Sequence, residues 1–212
     1  MYSLDDFLHN YVGGLVNNIS QYEVPNRNLA IDLDLNSKKR ILHTLTEDIL
    51  ANDVLNHLVF NALNAISGVN GSWENILGNW NLDILGNLTF RSYDLKGISV
   101  IELEDNGKGI NLDEVKKIAD NGTIDIDPLD YDSREELLDL LFYPGFTTKG
   151  QFRGVGLDFA YTQLYTNYNG EISIKGTTFY SKDGLTTVGS HNGKNTGTIL
   201  KLELPTSLPK DS

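Results

Sequence analysis

Glu104-Asp105-Asn106-Gly107-Lys108-Gly109-Ile110 ends an alternating apolar run, Ile98 to Leu103, and precedes a helix start. An acidic side chain is delivered at a strand end, and two glycines let the chain turn tightly behind it. A carboxylate fixed there can accept a hydrogen bond from an amino group on a flat ligand. The glycines remove Cβ atoms that would hold such a ligand away. The stretch reads as the floor of a nucleotide pocket. Asp-Asn-Gly is also a common turn, and the heptapeptide alone leaves both readings open.

Working outward, Leu88 to Tyr93 and Ile98 to Glu104 form a hairpin through Asp94-Leu95-Lys96-Gly97. Before it, about Glu47 to Ile66, lies the strongest helical pattern. Ala51, Val54, Leu55, Leu58, Ala62, Ala65 and Ile66 share one apolar arc at helical spacing. His57, Asn61 and Asn64 fall in a wedge of roughly 60° beside that arc. Such a stripe could line a pocket, or it could be a partly exposed helix edge. Ser67 to Gly86 is rich in Gly, Asn and Ser but holds Trp73, Ile76, Leu77, Trp80 and Leu82, which predicts an ordered excursion with a short helix.

After the heptapeptide, Asn111 with Glu114 starts a helix that Gly122 closes, and Ser133 with Glu136 starts another through Phe142, stopped before Pro144. Ile124 to Asp132 is an acidic loop. A polar loop from Phe146 ends in Gly154-Val155-Gly156-Leu157 at the head of a helix to about Tyr168. Glycines at a helix N-terminus present free N–H groups to phosphate, though a plain loop-to-helix junction has the same sequence. Strands Glu171 to Lys175 and Thr198 to Leu204 close the sheet, with Gly176 to Gly197 as a hairpin arm. At the N-terminus, residues 4 to 20 have helical spacing interrupted at Gly13-Gly14. Leu29 to Leu35 alternates as a strand, with Lys38 to Leu42 as its expected hairpin partner. The order implies an α+β two-layer sandwich: a mixed, mostly antiparallel sheet with helices on one face.

The chain has 212 residues, 40% hydrophobic and 22% charged, which suits one soluble globular domain. There is no Cys, hence no disulfide, thiol nucleophile or Cys-based zinc site; His9, His43, His57 and His191 are too scattered for an all-His metal site. A net charge of −12 argues against nucleic-acid or anionic-membrane binding. It leaves room for a nucleotide, whose phosphates Mg²⁺ and backbone N–H groups can offset. No apolar run reaches the length of a membrane span, and the acidic start does not read as a secretory signal. The expected location is the cytoplasm.

In this order the pieces resemble the ATP-binding domain of the GHKL superfamily (histidine kinases, gyrase and their relatives), and within it the catalytic domain of chemotaxis-type histidine kinases. His57 to Ala65 resembles the N box and Asp105 to Ile110 the G1 box. Leu140 to Lys149 resembles the F box and lid entry, with a Phe-x-Pro-Gly-Phe core, and Arg153 to Asp158 the G2 box. The resemblance spans about Val12 to Leu208. It implies the Bergerat-type ATP-binding fold, with residues 67–86 and 176–197 as additions to a single domain 1–212. It implies that Asp105, helped by Thr198, binds the adenine amino group and that Gly107, Gly109 and Ile110 bring backbone to the base. Asn61 would hold Mg²⁺, His57 would be the general base or polarising residue, and Asn64 would touch ion or phosphate. Gly154, Val155, Gly156 and Leu157 would cradle the triphosphate, with Thr148 and Lys149 as lid contacts.

Two departures stand out: a lid shorter than in chemotaxis kinases, and Asn64-Ala65 where those kinases usually carry Asp-His. The implied activity is transfer of the ATP γ-phosphoryl to a His in two-component signalling. No phosphoacceptor-His domain, dimerisation hairpin or coupling domain is read in these residues. His43 lies too close to the N box for an acceptor, so the His is expected on a partner or another part of the protein. The alternative is an ATP-gated binding module or slow ATPase that regulates a partner without phosphotransfer.

Overall fold

The computed structural model describes residues 3–21, 29–37, 48–69, 72–81, 83–121, 133–146, 156–181, 184–190 and 196–205. Helix α1 spans Leu4–Ser20. Ser3 opens it with a capping box: its Oγ accepts from the Asp6 N–H at 3.1 Å and its own N–H donates to the Asp6 carboxylate at 3.0 Å. Leu4, Phe7, Leu8, Val12, Leu15 and Ile19 form its buried stripe. The expected break at Gly13-Gly14 does not occur. The cap and the stripe outweigh a helix cost of about 1 kcal/mol per glycine. A Cβ added at Gly13 would meet nothing within 4 Å. Gly13→Ala is therefore expected to raise the unfolding free energy by about 0.5–1 kcal/mol in urea denaturation.

Six strands form one sheet in the order β1-β2-β3-β6-β4-β5. They are β1 (Leu29–Leu35), β2 (Gly86–Leu95), β3 (Ile98–Asp105), β4 (Glu171–Ser181), β5 (Gly184–Gly189) and β6 (Gly197–Pro205). The β1–β2 pair is parallel, Leu29 opposite Gly86, and the other pairs are antiparallel. The partner of β1 is thus β2. Lys38 to Leu42 lies outside the described residues. A parallel pair needs a crossover, and here it carries a π-helical turn (Ile49–Leu55), α2 (Asn56–Ser67) and α3 (Trp73–Gly78). The long helix expected before the hairpin is this π turn running directly into α2. Gly68, at φ 69°, stops α2 by donating its N–H to the Asn64 carbonyl at 3.0 Å.

Leu88, Phe90, Ile101, Leu103, Leu200, Leu202, Leu204 and Ile172 turn to one sheet face and bury against α1, α2 and α6 (Leu157–Tyr168). The opposite face carries the pairs Arg91–Glu104 at 2.6 Å, Lys175–Glu102 at 2.7 Å and Lys201–Glu203 at 2.8 Å. A second cluster joins α4 (Leu112–Asp120) and α5 (Arg134–Asp139) to the far end of the sheet: Leu112, Val115, Leu138, Phe146, Phe179 and Val188 are all buried in it. Both helices start as their caps predict. Asn111 Oδ1 accepts from the Asp113 and Glu114 N–H groups, and Ser133 with Glu136 forms a capping box. The α-helix expected through Phe142 ends at Asp139 and tightens to a 3₁₀ turn over Leu140–Phe142, whereas Gly122 lies outside the described residues.

Strand β4 does not stop at Lys175; it continues to Ser181 and returns as β5. Burial of Phe179 and Val188 against α4 and α5 holds the arm, despite its loop-like composition.

Candidate functional site

The inner end of β3 and the start of β6 are cross-strand partners, with Asp105 opposite Thr198. Asp105 is 5% exposed and Thr198 7%. The Asp105 carboxylate accepts the Gly107 N–H at 2.8 Å and the Thr198 backbone N–H. Among the described residues no cation pairs with it. Burial dominates and pushes its pKa up to about 7; the two N–H donors oppose that shift, and the Glu104 charge adds to it.

The sign of the stability effect follows. The unfolded carboxyl ionises near 3.8 and the folded one near 7. The folded state therefore keeps a proton that the unfolded state has lost. The stability that Asp105 contributes is complete below about pH 4 and is lost as pH rises towards about 7. Asp105→Asn is expected to flatten that part of the stability profile in denaturation series taken across these pH values. An unchanged slope would assign the effect to other groups.

The turn after Asp105 docks on α2. Lys108 N–H donates to the Ala65 carbonyl at 3.1 Å, and Asn106 Nδ2 donates to the Leu85 carbonyl at 2.8 Å. The two glycines are needed, but for a reason the sequence did not show. A Cβ at Gly107 would stand 2.7 Å from Ala65 and 2.8 Å from the Asp105 carboxylate. At Gly109, φ 71°, it would lie 1.6 Å from the Thr178 carbonyl oxygen. The protein's own backbone and side chains occupy that space. Ile110 donates its N–H to Thr177 Oγ1 at 3.1 Å, and its side chain packs on the second cluster.

The polar stripe of α2 meets α6. His57 lies edge-on to Phe159, with ring centroids 5.1 Å apart. A Cβ at Gly156, the N-cap of α6, would be 3.1 Å from Asn61 Nδ2. The helix start thus abuts Asn61, and Leu157 packs on the main core. Asp158 anchors the start: Oδ1 accepts from the Phe159 N–H at 2.8 Å and Oδ2 from the Gly145 N–H at 3.3 Å. That second bond ties the turn at Gly145 to α6. Asn64 is buried at 4% exposure, deeper than a helix edge. Its Nδ2 donates back to the Phe60 carbonyl at 2.9 Å, while Oδ1 has no partner among the described residues. Thr148, Lys149, Gly154 and Val155 lie outside the described residues. A cavity of about 430 Å³, lined in part by Tyr11, Asn18, Asn52, Asn56 and Trp73, includes none of the expected site residues.

Thr177 was not foreseen. It is fully buried beside Thr198. It lies in the Gly/Ser/Thr/Asn-rich arm 176–197, and only the sheet register places it here.

A Mg²⁺ ion shared with phosphates would need few protein oxygens. Asn61 would be the residue to hold it, through a hard amide oxygen; among the described residues no group of three or more His, Cys, Asp or Glu could form a cage. Mg²⁺ typically keeps several waters and takes one or two protein oxygens with the phosphates. No helix among the described residues is long and apolar enough to cross a membrane.

No family model matches the chain. An alignment 112 positions long with the chemotaxis protein CheA of Treponema pallidum (strain Nichols) is 35% identical and covers 48% of this chain and 13% of that protein. The solved catalytic domain of histidine kinase ThkA superposes with a TM-score of 0.54 at 17% identity, covering 97% of this chain and 93% of that one. ThkA in complex with the response regulator TrrA gives 0.53 at 16% identity, covering 97% and 41%.

Proposed function

We propose that this chain, which has the fold of the histidine-kinase catalytic domain, binds ATP and donates its γ-phosphoryl to a His supplied by a partner or another part of the protein. One observation carries the reading: a carboxylate buried at 5% exposure at a strand end, with backbone N–H donors but no cation beside it among the described residues. Two N–H donors leave part of such a carboxylate's acceptor capacity unfilled, and its charge stays costly to bury without a further donor. The adenine amino group would be that donor, and it bonds most strongly to the ionised form. Affinity for ATP is therefore greater above pH 7 than below.

Asn61 would hold Mg²⁺, which supplies charge neutralisation across the phosphates. His57 sits one turn earlier on the same helix, where it would polarise the attacking group. Its Phe159 contact fixes the ring. The N-terminus of α6 at Gly156 would offer backbone N–H groups, other than that of Phe159, to phosphate oxygens. Phosphoryl transfer depends mostly on positioning and charge stabilisation, so these few groups suffice. The association of CheA with chemotaxis, and of ThkA with a response regulator, supports a signalling partner.

The test is γ-labelled ATP incubated with the chain and candidate partners encoded beside it. Label that is acid-labile and base-stable on a partner is expected. ATP binding with no such label on any partner would replace transfer by an ATP-gated binding module.

A further inference from the structure

Strand β4 carries a bulge. Its register against β6 steps from Ile174 opposite Leu200 to Gly176 opposite Ile199, so Lys175 is an extra residue. An unbroken ladder would set Gly176 against Thr198 and turn Thr177 to the opposite sheet face. The bulge puts Thr177 opposite Thr198 instead, on the face where Asp105 lies.

There the Thr177 hydroxyl uses its whole capacity of one donor and two acceptor sites. It donates to the Gly197 carbonyl at 3.0 Å and accepts the Ile110 N–H at 3.1 Å, while Thr198 Oγ1 stands 3.1 Å away as the remaining donor. One buried side chain thus joins the turn that follows Asp105 to the strand start that faces it. Ser190 N–H, donating to the Lys175 carbonyl at 3.0 Å, and the Lys175–Glu102 pair hold the bulge from outside.

We propose that Thr177 is a positioning residue of the adenine subsite: delivered by the bulge, it fixes Asp105 and Thr198 relative to one another. The proposal rests on the reading of Asp105 as the acceptor for the adenine amino group. Thr177 acts through those two residues and through the Ile110 backbone, not by contact with the phosphates.

The experiment compares wild type with Thr177→Val, which keeps the shape, and Thr177→Ser, which keeps the hydroxyl. ATP and ITP affinities are measured by calorimetry, and amide exchange is followed at Ile110. ITP carries an oxygen where ATP carries the amino group. The Val variant should bind ATP roughly tenfold more weakly, with a narrowed ATP-to-ITP ratio and faster exchange at Ile110. The Ser variant should stay within about threefold of wild type. If the Val variant does not fold, Thr177→Ala carries the same expectation. Wild-type affinity and selectivity in the Val or Ala variant, or equal losses in the Ser variant, would overturn the proposal. Wild type that binds no ATP would instead remove the adenine reading itself, and the role of Thr177 with it.

Discussion

Gly109→Ala is expected to lower the unfolding free energy by about 4 kcal/mol, near the top of the range for a single methyl group. Two costs add. At φ 71° an L-residue is strained by roughly 1–2 kcal/mol. The new Cβ would also stand 1.6 Å from the Thr178 carbonyl oxygen and 2.6 Å from its carbon. That obstacle is strand backbone, so relief requires the turn to leave β4 and break the Ile110 to Thr177 hydrogen bond. Gly97 provides the control, since it has φ 94° and nothing within 4 Å of an added Cβ. Gly97→Ala should show only the conformational cost of about 1–2 kcal/mol. Urea denaturation of both variants measures the difference. Equal losses would mean that the Asp105 turn is not clamped between α2 and β4.

Asp105→Asn is expected to weaken ATP binding about 100-fold or more while leaving the fold intact. A hydrogen bond to a charged acceptor is worth roughly 1.5–3 kcal/mol. The amide also presents donors of its own to the adenine amino group, so the variant replaces an attraction with a mismatch. The apo protein should tolerate the change. The side chain is nearly isosteric, Oδ1 can still accept the Gly107 N–H, and no charge remains to be buried. Fluorescence or calorimetric titration measures the affinity, and the denaturation midpoint at pH 8 checks the fold. Loss of binding with a midpoint at pH 8 no lower than that of wild type supports a recognition role. Parallel loss of both would make Asp105 a structural carboxylate.

The parts of the site that were legible in the sequence are those written in local patterns. Glycines beside a strand end marked the turn after Asp105. Helical spacing put His57, Asn61 and Asn64 on one side of α2, and capping residues at Asn111 and Ser133 set two helix starts. Alternation at Leu29 to Leu35 and Ile98 to Leu103, with the order of helices and strands, implies the two-layer class. What escaped is non-local. Thr177 reaches the site only because one extra residue, Lys175, changes the face of everything after it, and no local pattern encodes a register against β6. The pairing of β1 with β2 has no local signal, because a parallel pairing spans the whole π turn, α2 and α3 crossover. Gly13-Gly14 suggested a break that the stripe from Leu4 to Ile19 overrides. The glycine pattern at 107 and 109 does not show that a Cβ at either position would strike Ala65 or Thr178, which only the fold brings there.

The most direct test of the central claim is a calorimetric titration of the wild-type chain with a non-hydrolysable ATP analogue and Mg²⁺ at pH 8. A single saturable site per chain is predicted, with its heat absent in Asp105→Asn. No saturable heat with wild type, or the same heat in both proteins, would contradict an ATP site built on Asp105.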